Sequence, residues 1–205
     1  RYDDRKLLFN EVDAQFHLQC TFLKVKEFAA LYTPSNIIES VIKASYESLE
    51  DLSMELPHST PSNNDTFDLD GIELNLTRFR LASVSNKPLG TVLRSSFKTL
   101  QDLEIVSSSY NYNYEFNPCS NMKLQLKRFV AEWISAEFVG SILCMSNLTL
   151  EELNVINVNA QHQDYNLDTQ LKQLKKITAI TSDSKFFFSF RCPLGCCSVA
   201  GLTWT

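Results

Sequence analysis

A chain of 205 residues with 44% apolar and 21% charged side chains is long enough to bury one substantial core. Its formal net charge of -5 argues against a non-specific nucleic-acid binder, which needs a basic stripe to displace counterions from phosphates. No run of about 18 apolar residues occurs, so membrane insertion as a helix is not expected.

Residues 1–20, RYDDRKLLFNEVDAQFHLQC, show no signal-peptide pattern and are expected to form an N-terminal cap or the remnant of an upstream segment. From Val25 onward one pattern recurs, with apolar residues at i, i+3 and i+5. It runs VKEFAA from Val25, LEDLSM from Leu49, LTRFRL from Leu76 and LQDLEI from Leu100. It continues as LKRFVA from Leu126, LEELNV from Leu150, LKKITA from Leu174 and VAGLTW from Val199. The intervals are 24, 27, 24, 26, 24, 24 and 25 residues. Neither a helix period nor strict strand alternation gives this spacing alone, whereas recurrence at a near-constant interval marks a repeat. Each motif predicts a short strand with its apolar residues inward, and a connection that returns the chain to start a parallel neighbour. One such unit cannot bury its own apolar face, so the units must stack.

A longer period overlies the first. After Val25, Leu76, Leu126 and Leu174 the connection tends to read as helical, as in SNIIESVIKASYES and EWISAEFVGSILCMS; after Leu49, Leu100 and Leu150 it is polar and irregular, as in PHSTPSNNDTFDLDG, SSSYNYNYEFNPCSN and NVNAQHQDYNLD. The connection after Leu174, SDSKFFFSFRCPLGCCS, is aromatic and Cys-rich and could seal the end of the core.

The repeated L-x-x-L-x-L pattern resembles the leucine-rich-repeat superfamily over residues 21–205. The resemblance implies an α/β solenoid: a leucine-rich-repeat horseshoe of seven to eight repeats, with a concave parallel sheet and a mixed helix/loop convex side. The asparagine ladder of secreted members is missing, since Thr33, Pro57, Val84, Ser108, Ile134, Val158 and Ser182 stand at its positions. The motifs SLEDLSM, TLQDLEI and TLEELNV are more similar to the substrate-recognition region of F-box proteins. That resemblance implies a cytoplasmic or nuclear ubiquitin-ligase receptor, reaching a Skp-type adaptor and cullin through an upstream F-box. Residues 1–20 are too short to be that module.

Alternation puts the third and fifth residues of each motif on the solvent face of the sheet. The third position reads Glu27, Asp51, Arg78, Asp102, Arg128, Glu152, Lys176 and Gly201, alternating in sign from Asp51 to Lys176. This row is expected either to recognise a partner or to compensate itself strand by strand. The fifth position adds Arg80 and Glu104, and the seventh places Ile156 and Ile180 on neighbouring strands as a candidate apolar contact. The expected partner footprint on the concave face is therefore Arg78, Arg80, Asp102, Glu104, Arg128 and Glu152. Tyr110, Tyr112 and Tyr114 of the YNYNYEF loop stand beside it, since tyrosine supplies rigid amphipathic contact area.

Nothing points to catalysis. His17, His58 and His162 share no motif, no phosphate-cradling or nucleophile-elbow signature occurs, and the carboxylates on the motifs alternate with bases. No cofactor is expected, and the spacing of Cys192, Cys196 and Cys197 is wrong for a usual zinc site. Cys20 and Cys144 lie in apolar stretches and are expected as buried thiols. The alternatives are a secreted or cell-surface binding protein, glycosylated at Asn64, Asn75 or Asn147 and stapled by a C-terminal disulfide, and a structural scaffold in a larger complex.

Overall fold

A computed structural model of the chain describes residues 6–10, 23–55, 67–82, 86–107, 122–158, 171–180 and 198–199. The chain forms two compact units, Arg1–Leu100 and Gln101–Thr205, each an α/β unit built on a parallel sheet.

In the first unit the strands β1 (Lys6–Asn10), β2 (Glu27–Leu31), β3 (Asp51–Glu55) and β4 (Arg78–Ala82) pair in chain order. Helix α1 (Ser35–Ser45) connects β2 to β3, and α2 (Asn86–Ser96) follows β4. In the second unit β5 (Asp102–Val106), β6 (Arg128–Glu132), β7 (Glu152–Ile156), β8 (Lys176–Ile180) and β9 (Ser198–Val199) pair likewise, with α3 (Ala136–Ser146) between β6 and β7. All three helices fall on connections that read as helical, but α3 begins four residues after Glu132. Glu132 ends β6, and Ser135 sets the helix start by accepting a bond from Phe138 N at 3.3 Å.

The apolar positions of the motifs form the core. Phe28, Leu52, Phe79, Leu103, Phe129 and Leu153 are buried, as are Leu49, Leu76, Leu100, Leu126 and Leu150, each two residues before its strand. The intervening strand residues lie on a face that is exposed or half-buried, as period-two alternation requires, with Val130 of β6 the exception among them. Helices cover the buried side with one apolar stripe each, in α1 through Ile37, Ile38, Val41 and Ile42 and in α3 through Phe138, Val139, Ile142 and Leu143.

Two motifs were missed or misplaced by pattern alone. Strand β1 pairs in register with β2, Lys6 opposite Glu27, and Phe9 meets Phe28 edge-on at 5.7 Å. The acidic Asp4 occupies the first apolar position of that motif, so an apolar search passes over it. At the other end β9 sets Ser198 opposite Lys176 and Val199 opposite Ile177, three residues out of step with a motif starting at Val199. Read in the observed register the motif is C-x-x-V-x-G from Cys196, and its glycine fails the apolar test.

Each helix leaves through one device, S-x-x-[ST]-L: Ser45 to Leu49, Ser96 to Leu100, Ser146 to Leu150. The buried first serine donates to the carbonyl four residues back, at 2.7 Å in all three helices. The second hydroxyl ties the turn to the extended segment before the preceding strand. Ser48 Oγ donates to Val25 O at 2.9 Å, Thr99 Oγ1 to Leu76 O at 2.9 Å and Thr149 Oγ1 to Leu124 O at 3.2 Å.

Strand exits follow a second rule. Tyr32, Trp133 and Asn157, seven places into their motifs, take φ of 50°, 59° and 51°. This turn aims each N–H at the last carbonyl of the next strand, at Glu55 O (2.7 Å), Ile156 O (3.0 Å) and Ile180 O (2.6 Å).

Candidate functional site

The open face of each sheet is a grid whose columns are strands and whose rows are motif positions. In the first unit the third-position row is Lys6, Glu27, Asp51 and Arg78. Lys6 pairs with Glu27 at 3.3 Å and Arg78 with Asp51 at 2.9 Å. Burial raises the Asp51 carboxyl above its ordinary value; Arg78 opposes that shift, and the like charge of Glu27 on the neighbouring strand adds to it.

In the second unit the row is Asp102, Arg128, Glu152 and Lys176. Arg128 holds Asp102 at 2.8 Å and lies 3.8 Å from Glu104, while Lys176 stands 4.0 Å from Glu152. Opposite charges in this row pair across neighbouring strands in both units, although Glu27 and Asp51 of the first stand side by side with like sign. A second charged row, one place nearer the strand entry, was not anticipated: Lys26 pairs with Glu50, and Lys175 with Glu151 at 2.7 Å. Lys175, helped by Lys127, holds the Glu151 carboxyl below its ordinary value.

Arg78 and Arg80 are therefore displayed on the first unit's face, and Asp102, Glu104, Arg128 and Glu152 on the second's. Tyr110, Tyr112 and Tyr114 lie outside the described residues, as do the three histidines and every cysteine except Cys144. Cys144 corrects an expectation. It is exposed, because the helical period of α3 turns Ile142, Leu143, Met145 and Ser146 inward and leaves position 144 on the outer side.

Over β6 to β8 the face dips into a shallow hollow lined by Arg128, Glu152, Asn154, Lys176 and Thr178. Val130, at a fifth position of this face, is nearly covered, so the floor beside the hollow is apolar. Above it, at the strand exits, Val106, Glu132, Ile156 and Ile180 stand in register, with Ile180 40% exposed. Trp133 flanks them and donates its indole N–H to Glu132 Oε1 at 3.2 Å. In the first unit Tyr32 makes the analogous contact, its hydroxyl donating to Glu55 Oε1 at 2.7 Å.

No family model, curated protein or solved structure matches this chain. Among the described residues no three His, Cys, Asp or Glu side chains gather where they could hold a metal, and no helix is long and apolar enough to cross a membrane. The arrangement offers in-register polar contacts with an apolar rim. Sequence reasoning found the rows from strand alternation. It missed Tyr32 and Trp133, although both carry a legible signal, an aromatic seven places into a motif.

Proposed function

We propose that the chain is a protein-recognition module, a leucine-rich-repeat solenoid whose open sheet face binds a partner protein. Its context is the substrate-binding region of an F-box-like ubiquitin-ligase receptor. One observation carries the recognition reading: each sheet is buried on one side only, and the other side displays registered rows of charged and polar residues outside the core. Rows of this kind read a partner by shape and charge and need no catalytic group, so binding without catalysis is the activity proposed. The S/T-L-x-x-L-x motifs support the ligase context by resemblance.

The secreted alternative needs accessible sequon amides. Asn75 is exposed, its Nδ2 donating to Glu47 O at 3.2 Å, so its sequon meets that need; Asn147 is half-buried.

Affinity purification of the full-length natural gene product from its own cells tests the proposal. Recovery of a Skp-type adaptor and a cullin is expected. A different stoichiometric partner in their place refutes the ligase context and leaves recognition standing. Charge reversal at Arg80 and at Arg128 that leaves the partner's affinity unchanged refutes recognition by the charged rows.

A further inference from the structure

We infer that the strand-exit rim of the second unit is a docking strip for a partner segment carrying a lysine or arginine beside bulky aliphatic side chains. The inference rests on the recognition reading and names the partner's chemistry.

Backbone conformation supplies the first observation. The exit position demands a left-handed residue, and Asn157 is the kind of residue that tolerates one, because its short amide fits beside the backbone. Trp133 meets the same demand with φ 59°, where a bulky side chain is disfavoured. The ring is half-exposed, stands beside the apolar row and donates to Glu132, so it forms part of the rim.

Charge supplies the second. The outward positions of β5 to β8 carry four carboxylates (Asp102, Glu104, Glu132, Glu152) against two cations (Arg128, Lys176), an excess of two negative charges. Arg128 is engaged by Asp102 and Glu104, and Lys176 stands by Glu152. Glu132 pairs with no cation among the described residues, and its hydrogen bond comes from the neutral indole of Trp133. A cation arriving here meets a carboxylate that the indole N–H holds in place on the rim.

Spacing supplies the third. Strands about 4.8 Å apart put Ile156 about 5 Å and Ile180 about 10 Å from Glu132 along the row. Neighbouring side chains of one bound segment span that reach, so a single peptide can set its cation on Glu132 and its aliphatic residues on Ile156 and Ile180. An acidic segment would add to the excess negative charge, and a purely basic one would leave the isoleucines in water.

Selection of random phage-displayed peptides against the full chain, followed by anisotropy measurements on the enriched peptides, tests the strip. Enriched peptides are expected to combine Lys or Arg with Leu, Ile or Met nearby. Trp133→Asn, which suits the left-handed backbone and is checked for an intact fold by circular dichroism, is expected to weaken them about tenfold. Ile180→Lys and Glu132→Lys should do the same. Acidic or purely polar consensus peptides overturn the inference, as does affinity indifferent to all three substitutions. Peptides weakened by Arg80→Glu or Arg128→Glu but not by Trp133→Asn refute the strip and keep recognition by the charged rows. An empty selection refutes both. A self-dimer broken by Ile180→Lys assigns the rim to a second copy and overturns the proposed partner.

Discussion

Replacing Thr99 with valine keeps the shape of the side chain and removes its hydroxyl. That hydroxyl lies 2.9 Å from Leu76 O, 3.1 Å from Leu74 O and 3.3 Å from Ser96 O. It carries one proton, so it makes one good bond at a time, with a net value of about 1 kcal/mol. Its loss also leaves one of the Leu74 and Leu76 carbonyls, whose own side chains are buried, short of a donor. An unsatisfied buried acceptor costs about 1–3 kcal/mol, which sets the expected destabilisation. Ser96→Ala is the internal control. Its hydroxyl donates at 2.7 Å to Val92 O, four residues back in the same helix. That carbonyl lies in position to take the helical bond, and alanine is the better helix former, so the control should cost well under about 1 kcal/mol. Urea denaturation at constant m reads both as shifts in midpoint. Thr99→Ser should restore most of the loss. If Thr99→Val costs no more than Ser96→Ala, or if Thr99→Ser is as damaging as Thr99→Val, the hydroxyl is not what ties the helix exit to the sheet.

Phe129, fully buried behind β6, should cost about 3–5 kcal/mol as Phe129→Ala, measured by the same denaturation. A double-mutant cycle on Asp102 and Arg128, whose side chains are 23% and 42% exposed, should return a coupling of about 0.2–1 kcal/mol that shrinks with added salt. Carboxyl titration by NMR should find Asp51 above its ordinary value and Glu151 below. The signs of their linkage to stability are opposite. Asp51 binds its proton more tightly folded than unfolded, so its contribution declines as pH rises from about the unfolded value through the raised one. Glu151's contribution is present above its unfolded value and is lost as pH falls through the lowered one. Alkylation of the native protein with peptide mapping should modify Cys144 without denaturant, as its outward position on α3 requires.

The strands were legible because their signal is both local and repeated. An apolar residue at i, i+3 and i+5 states which face is buried, and recurrence removes ambiguity from any single instance. The signal failed where one apolar place was filled otherwise, by Asp4 before β1 and by Gly201 in the register that β9 adopts. The face was legible in its third, fifth and seventh rows, because alternation fixes them once the buried positions are known. The Lys26–Glu50 and Lys175–Glu151 pairs were not, since they sit before the strand proper, where period two does not yet apply. The exposure of Cys144 was lost for a different reason: SILCMS is apolar throughout, and composition cannot say which residue a helix turns outward.

The strand-entry bonds have a consequence for how such a chain can vary. In each entry one carbonyl accepts two N–H groups of the next strand, as Lys26 O does from Glu50 and Asp51 and as Glu50 O does from Thr77 and Arg78. Glu27 is opposite Asp51 after 24 residues and Asp51 opposite Arg78 after 27, with no slip in register. Three residues more or less are absorbed entirely by the connection. Insertions and deletions are thereby confined to the connections between strands, and the display face can be rewritten one residue at a time while its lattice stays fixed. Lineages of such chains can therefore diverge along two separate axes, length in the connections and chemistry on the face.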